Sequence, residues 1–299
     1  MNPEAGRGRG RRLGPELVAA LRSRGIDTAV LVATGPHEAL SMARTAVHDG
    51  VGCLVAAGGD GTVHLALQAV AGTSTPLGIV ALGTGNDNAV GLGLPVKKVT
   101  LAADVLAAGR VRAVDVASVT TAEGERRWFL GVLSAGFDSL VTERANGMTW
   151  PSGQARYMRA LAAELRAFRP VRFDVEIDGV SMSDDAMFAS IGNGTSYGGG
   201  MKVCIGALLD DGLLTMTWIH RMPRRELVAT FPKVFSGTHI KHPGVTQHHG
   251  RHIRVAAAGQ LAYADGERVG PLPIDVEVHP LAVRILVPQG AAAEPRSTA

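Results

Sequence analysis

Short apolar runs and helical stripes alternate along the first hundred residues. "AVLVA" (29–33), "CLVAA" (53–57) and "LGIVAL" (77–82) are aliphatic runs of strand length. Between them "HEALSMARTAV" (37–47) places Leu40, Ala43 and Val47 on one helical face, and "TVHLALQAV" (62–70) repeats the pattern. "TLAADVLAAG" (100–109) adds a helix that stops at Gly109. Strands that alternate with helices at this spacing predict a parallel sheet with helices on its faces. Ligands then gather at the carboxyl ends of the strands.

From about residue 111 the texture changes. "RVRAVDVASV", "RRWFLGVLSAGF", "VRFDVEIDG", "AMFASIGNG", "LLTMTWIH", "RHIRVAAAG" and "PIDVEVHP" are short strand candidates bounded by Gly, Pro or Asp. They predict a mostly antiparallel second domain, interrupted by helical patterns near 153–168 and 223–235. "AVRILVP" reads as a last strand, and the polar end from 290 as a disordered tail. No internal repeat is evident.

With 299 residues, 46% of them hydrophobic and 19% charged, the chain has the makings of one or two globular cores. It has no 18-residue apolar window, which argues against a membrane span. Arginines near the start are not followed by an apolar stretch, so Arg11-Arg12 is a poor export signal and a cytoplasmic protein is expected. Cys53 and Cys204 lie in apolar runs without metal-ligand spacing and read as buried thiols. A net charge of +3 with 4% aromatics gives no basic tract interleaved with rings, so nucleic acid is not an expected partner.

The candidate chemistry starts at "GGDGT" (58–62), where an apolar run ends and a helical pattern begins. Glycines there let backbone N–H groups approach an anion, and the helix N-terminus adds free donors. "LGTGNDNA" (82–89) repeats the design after the next strand. Either loop alone is also compatible with an ordinary tight turn; two on successive strands favour a phosphate site. A P-loop is excluded, because G-x-x-x-x-G-K-[ST] is absent, and "GTGNDN" lacks the last glycine of a dinucleotide fingerprint.

"NPEAGRG" (2–8), "GGDGT", "LGTGNDNA", "YGGGMKV" (197–203), "LLDDGLL" (208–214) and "YADGE" (263–267) occur in this order. Together they resemble the bacterial diacylglycerol kinase family, relatives of sphingosine and ceramide kinases and more distantly of NAD kinases. The resemblance covers nearly the whole chain. It implies an α/β fold: an N-terminal parallel-sheet nucleotide-binding domain over 1–112, then a mostly antiparallel β-sandwich domain over 113–280. A last strand at 281–289 would return to the first domain, before a tail at 290–299. It also implies an ATP- and Mg2+-dependent lipid kinase, with diacylglycerol as the expected acceptor.

Carried over by position, the resemblance puts Asn2, Pro3, Gly6, Thr34, Gly58, Gly59, Asp60, Gly61, Thr62, Val63, His64, Thr84, Gly85, Asn86 and Asp87 at the nucleotide. Asp60 and Asp87 would belong to an acid network positioning Mg2+. "YADGE" by itself reads as a hairpin with Asp-Gly at its tip. The resemblance makes it the general-base site, with Glu267 as proton acceptor and Asp265 as its metal-linked or hydrogen-bonding neighbour. "LLDDGLL" would hold a structural Mg2+ through the Asp211 side chain and the carbonyls of Leu208 and Leu213, assisted by Asp210.

Three positions depart from the family pattern. Relatives carry an apolar strand before "NP", so the sheet is expected to be one strand short and the nucleotide loop to lose an anchor. His64-Leu65 stands where Asn-Glu is usual, and Asn88 where an aromatic or aliphatic residue is usual. The histidines of "THIKHPGVTQHHGRH" (238–252) lack regular ligand spacing and read as a solvated loop. In 153–168, Met158, Leu161, Leu165 and Phe168 form a stripe beside Arg156, Arg159 and Arg166. Core packing accounts for such a stripe, and peripheral contact with a membrane carrying the lipid substrate is the alternative. A homodimer is compatible with the resemblance. NAD kinase, a kinase of sphingoid or other lipids, and a non-catalytic nucleotide-binding protein stand as alternative functions.

Overall fold

The computed structural model of the chain describes residues 1–151, 154–164 and 170–290. Its described residues divide into two compact units, Met1–Val116 together with 280–290, and Ala117–His279. Two strands, β3 (Val111–Thr121) and β13 (Ile274–Leu286), contribute residues to both units.

The first unit runs α1 (Ala5–Arg22), α2 (Pro36–His48), β1 (Leu54–Gly58), α3 (Asp60–Val70), β2 (Leu77–Ala81), α4 (Asp87–Gly91) and α5 (Val99–Ala108), followed by the start of β3. β1 and β2 pair in parallel from Leu54–Leu77 to Gly58–Ala81, and the end of β13 joins β2 in parallel at Ile285. These strands are aliphatic almost throughout because both of their faces are covered. Leu17, Leu21, Ala102, Ala103 and Leu106 pack with Val80, Leu82 and Leu286 on one side. Gly109 takes a left-handed φ of 64° and ends α5 where the pattern placed the stop.

The expected strand at 29–33 is not one. It pairs with no strand among the described residues, and Val30 and Val32 are 42% and 77% exposed. An apolar run becomes a strand only where a neighbour supplies hydrogen bonds. β1 is bonded to β2 along one edge; along the other, the Asn2 N–H reaches the Ala57 carbonyl at 3.0 Å. That bond is one of those that hold the N-terminal loop to this part of the molecule. α1 went unread because of its glycines: Gly6, Arg7 and Gly8 have φ of 60°, 64° and 80°, and regular helix begins only after them.

The second unit is a sandwich-like, antiparallel domain. After the end of β3 come β4 (Arg126–Phe129), β5 (Val132–Gly136), α6 (Phe137–Gly147), α7 (Gln154–Glu164), β6 (Val171–Ile177) and β7 (Val180–Gly192). Then follow β8 (Leu214–His220), α8 (Arg224–Thr230), α9 (Lys233–Ser236), a 3-10 turn at Thr238–Lys241, β9 (Val245–Gly250), β10 (His252–Ala256), β11 (Leu261–Ala264), β12 (Glu267–Pro271) and the start of β13. Strand order is β13-β10-β6-β7-β5-β11-β12, with β8 and β9 branching from β7 and β4 paired to β3.

β6 alternates as its sequence predicts, with Phe173, Val175 and Ile177 inward. In β7 a register shift between Ala186 and Phe188 breaks the alternation. Ala186 and Ala189 face the interior of the sandwich, while Met187 and Phe188 both join the helix-side core with Val141, Leu227 and Phe231. The stretch 238–252, expected as a solvated loop, instead supplies β9 and the fully buried His239. The 153–168 pattern is seen as α7; Leu165, Arg166 and Phe168, like the tail from 291, lie outside the described residues. Among the described residues no helix is long and apolar enough to cross a membrane.

Candidate active site

In the first unit the two glycine loops meet at the carboxyl ends of β1 and β2. Leu82 and Gly83 both donate their N–H to the Gly58 carbonyl, at 2.7 and 3.2 Å. A Cβ on Gly83 would lie 2.5 Å from the Gly59 Cα, so the two backbones touch and neither loop has room for a side chain there. A Cβ on Gly58 would lie 2.1 Å from the Thr62 hydroxyl. The Asp60 carboxylate accepts the Asn86 N–H at 2.7 Å and the Asn88 N–H at 3.2 Å, tying the first turn of α3 to the second loop. Asn86, buried and left-handed at φ 66°, closes that loop on itself: its Oδ1 accepts from Gly83 N–H and its Nδ2 donates to Gly83 O.

The N-terminal segment packs onto the same loops. A Cβ on Gly6 would lie 2.1 Å from the Leu82 carbonyl, and the Arg9 guanidinium donates to the Leu82 and Gly83 carbonyls at 2.9 and 3.2 Å. Pro3 accepts the Arg11 N–H. Asn2, Pro3, Gly6, Gly58, Gly59, Asp60, Thr62 and Asn86 therefore form one constellation, with Thr84 and Gly85 exposed at its tip and Asp87 half-buried behind them. Thr62 and Val63 spend their amides on the Gly59 carbonyl, at 2.9 and 3.1 Å. Exposed Gly61 has no intrahelical acceptor for its own N–H. Val63 and His64 turn inward and are buried. Thr34 bonds through its N–H and hydroxyl to Glu38, whose carboxyl is held below its ordinary pKa by those bonds.

In the second unit Asp265 sits at the tip of the β11–β12 hairpin with φ 52°, followed by Gly266 at 84°. Its carboxylate accepts the N–H groups of Leu130 and Gly131 at 3.0 and 2.9 Å, while its own N–H donates to Val132 O. Glu267 is exposed at the start of β12, and its carboxylate has no hydrogen-bond or ion-pair partner among the described residues. The two carboxylates of "YADGE" thus differ: one is engaged by backbone amides, the other faces solvent. In the "LLDDGLL" turn Asp210 and Asp211 are exposed, Leu208 and Leu213 half-buried, and Asp211 accepts the Leu213 N–H at 3.0 Å. No histidine, cysteine or carboxylate cluster of metal-binding size occurs among the described residues. Burial raises the Cys53 thiol to about 11, so it is inert at neutral pH.

Several contributors were not read from the sequence. Arg9 is one. Asn193, fully buried, donates from its side chain to Leu130 O and from its backbone to Gly131 O, fixing the turn that Asp265 grips. On α6, Asn146 donates to the Gly266 carbonyl at 3.1 Å, and Glu143 bonds Tyr263. Burial and the Glu143 charge push the Tyr263 phenol above its ordinary pKa and keep it protonated. All of these link residues distant in sequence, so no local signal marks them.

Residues 1–119 match the family model described as the diacylglycerol kinase catalytic domain, and residues 131–287 that of the YegS C-terminal NAD kinase beta sandwich-like domain. Over 289 residues the chain is 38% identical to a protein of Mycobacterium tuberculosis named diacylglycerol kinase, spanning 96% of this chain and 94% of that one. A diacylglycerol kinase structure from Bacillus anthracis superposes with a TM-score of 0.73 at 18% identity, covering 97% of this chain and 96% of that one. An NAD kinase from Archaeoglobus fulgidus in complex with ATP has the same fold more distantly, with a TM-score of 0.55 at 13% identity over 93% of this chain and 91% of that one.

Proposed function

Because the chain belongs to the diacylglycerol kinase family of lipid kinases, we propose that it transfers the γ-phosphate of ATP to the free hydroxyl of diacylglycerol in a Mg2+-dependent reaction. The product is phosphatidic acid. The observation that carries this acceptor is the near-full-length similarity to a protein named diacylglycerol kinase.

In this reading the locked loops at 58–62 and 82–87 receive the phosphates of ATP. Their glycines keep side chains away from the backbone, and Asp60 fixes the geometry of both by holding Asn86 and Asn88. Glu267 takes the proton of the acceptor hydroxyl, because its carboxylate is the one of the hairpin pair not engaged by other described residues. Asp265 acts by holding the hairpin tip against Leu130 and Gly131. Mg2+, when bound, neutralises charge developing on the phosphate oxygens. Asp60 and Asp87 are the acids for that role. A structural Mg2+ at Asp211 suits the oxygen-only donors of its turn, the carboxylate with the carbonyls of Leu208 and Leu213 and Asp210 in support.

The test is direct. Purified protein is incubated with γ-labelled ATP, Mg2+ and, separately, diacylglycerol, a sphingoid base, ceramide, phosphatidylglycerol and NAD. Label in phosphatidic acid is expected, and chelation of Mg2+ should abolish it. Label on NAD alone, or on no acceptor, would overturn the assignment.

A further inference from the structure

We propose that Trp150, backed by Arg156 and Arg159 of α7, anchors this protein to the surface of an anionic phospholipid membrane. The proposal rests on the lipid-acceptor reading for its context and on the geometry of the second unit for its content. Trp150 follows α6 and is 73% exposed, whereas Trp218 is 2% exposed inside the sandwich core. An indole largely exposed to water is costly in isolation and favourable at a membrane interface, where its ring meets acyl chains and its N–H meets headgroups.

The two arginines hold it there. Arg159 lies over the ring with its guanidinium 5.5 Å from the centroid and donates to the Trp150 carbonyl at 3.4 Å. Arg156 donates to the Pro151 carbonyl at 2.9 Å. Both bond only backbone carbonyls, and neither is paired with a carboxylate among the described residues. Neighbouring Arg144, in contrast, is paired with Glu164. Two guanidinium groups with no carboxylate partner among the described residues, beside an exposed indole, match phospholipid phosphates over an apolar interior, which is the charge complementarity that selects a membrane over a neutral partner.

The placement also suits the chemistry. Asn146, on the same α6, bonds the Gly266 carbonyl in the turn that carries Glu267. Trp150 is four residues further on, within about 14 Å of Asn146 along an extended chain. Seating Trp150 in a lipid surface therefore brings the hairpin acid close to the plane in which an acceptor hydroxyl lies.

Flotation of the full chain with vesicles of phosphatidylcholine alone, or of phosphatidylcholine with phosphatidylglycerol, tests this. Binding is expected only to the anionic vesicles. Trp150→Ala should weaken it by about ten-fold, and Arg156→Gln with Arg159→Gln by about thirty-fold. Acyl-brominated phosphatidylcholine mixed with phosphatidylglycerol should quench tryptophan fluorescence in the wild type and not in Trp150→Phe, which keeps Trp128 and Trp218. Turnover of a dispersed short-chain diacylglycerol is read in parallel and should be the same in all variants. A wild type inactive on that acceptor would sink the diacylglycerol reading, while the vesicle data still decide the anchor. Equal vesicle binding by wild type and Trp150→Ala, binding indifferent to phosphatidylglycerol, or a lipid-free dimer that Trp150→Ala dissolves would overturn the proposal.

Discussion

Asp60, at the start of α3, accepts the N–H groups of Asn86 and Asn88; Asp265, at the tip of the β11–β12 hairpin, accepts those of Leu130 and Gly131. Each is followed by glycine, and each joins its own loop to one that is remote in sequence. The surroundings differ. Asp60 lies where two glycine backbones are already in contact, so its bonds reinforce a lock that sterics provide. Asp265 occupies a left-handed position at φ 52° in a turn, where its two carboxylate bonds act beside its own N–H bond to Val132 and the Asn146 bond to Gly266, with no such steric lock. The comparison teaches that an acid within a motif can act by shaping backbone, which in the proposed reaction leaves the proton transfer to a neighbour such as Glu267.

The most severe break is expected at that neighbour. Glu267→Gln should lower kcat by about 10²–10⁴-fold while leaving the melting temperature unchanged, since the residue is exposed. A loss of fold in this variant would show that Glu267 is structural. Next in size, Gly83→Ala forces a Cβ to 2.5 Å from the Gly59 Cα. Overpacking of this kind costs about 1–3 kcal/mol, and the KM for ATP should rise with it in steady-state assays. Undiminished stability would mean that the loops part easily.

Asp60→Asn and Asp265→Asn sharpen the contrast itself. Each leaves a backbone N–H facing an amide NH2, at about 1–3 kcal/mol. Asparagine tolerates left-handed backbone, so Asp265→Asn reports its lost acceptor without added strain. If the sterically locked loops need their acid less, denaturant titration will find Asp60→Asn the milder of the two. The smallest effect lies away from both turns. His239 is fully buried, its Nε2 donates to Val203 O, and its Nδ1 has no partner among the described residues. Burial holds its pKa below the ordinary 6.5. The unfolded chain therefore takes up a proton that the folded chain refuses, so this stability is present above about pH 6.5 and is lost as pH falls. His239→Gln keeps a donor to Val203 and should flatten the pH dependence of unfolding below 6.5 by up to about 1.4 kcal/mol per unit. His248 and His279, also held low chiefly by burial, leave a residual slope of the same sign.

What the sequence disclosed follows the range over which its signals act. β1–α3 and β2–α4 were legible because a buried parallel strand, a glycine turn and a helix start occur within a dozen residues. The β11–β12 hairpin was legible from Asp-Gly alone. β9 was not: "VTQHHG" has no apolar alternation and becomes a strand only by pairing with Leu214–Ile219 of β8. At 29–33 the error ran the other way, since a strand-like composition lacks a bonded neighbour. The partners of Asp60 and Asp265 are 26 to 135 residues away. Periodicity shows which face of an element is apolar and carries no information about such distant bonds.

The unpaired aliphatic run at 29–33 has a practical consequence. With Val30 and Val32 exposed and no strand bonded to it among the described residues, it is a template onto which extended chain from another molecule can add. Concentrated solutions of this protein should therefore lose material to cross-molecular β pairing well before the well-covered second unit is disturbed, and lysines in place of those two valines should keep it dispersed.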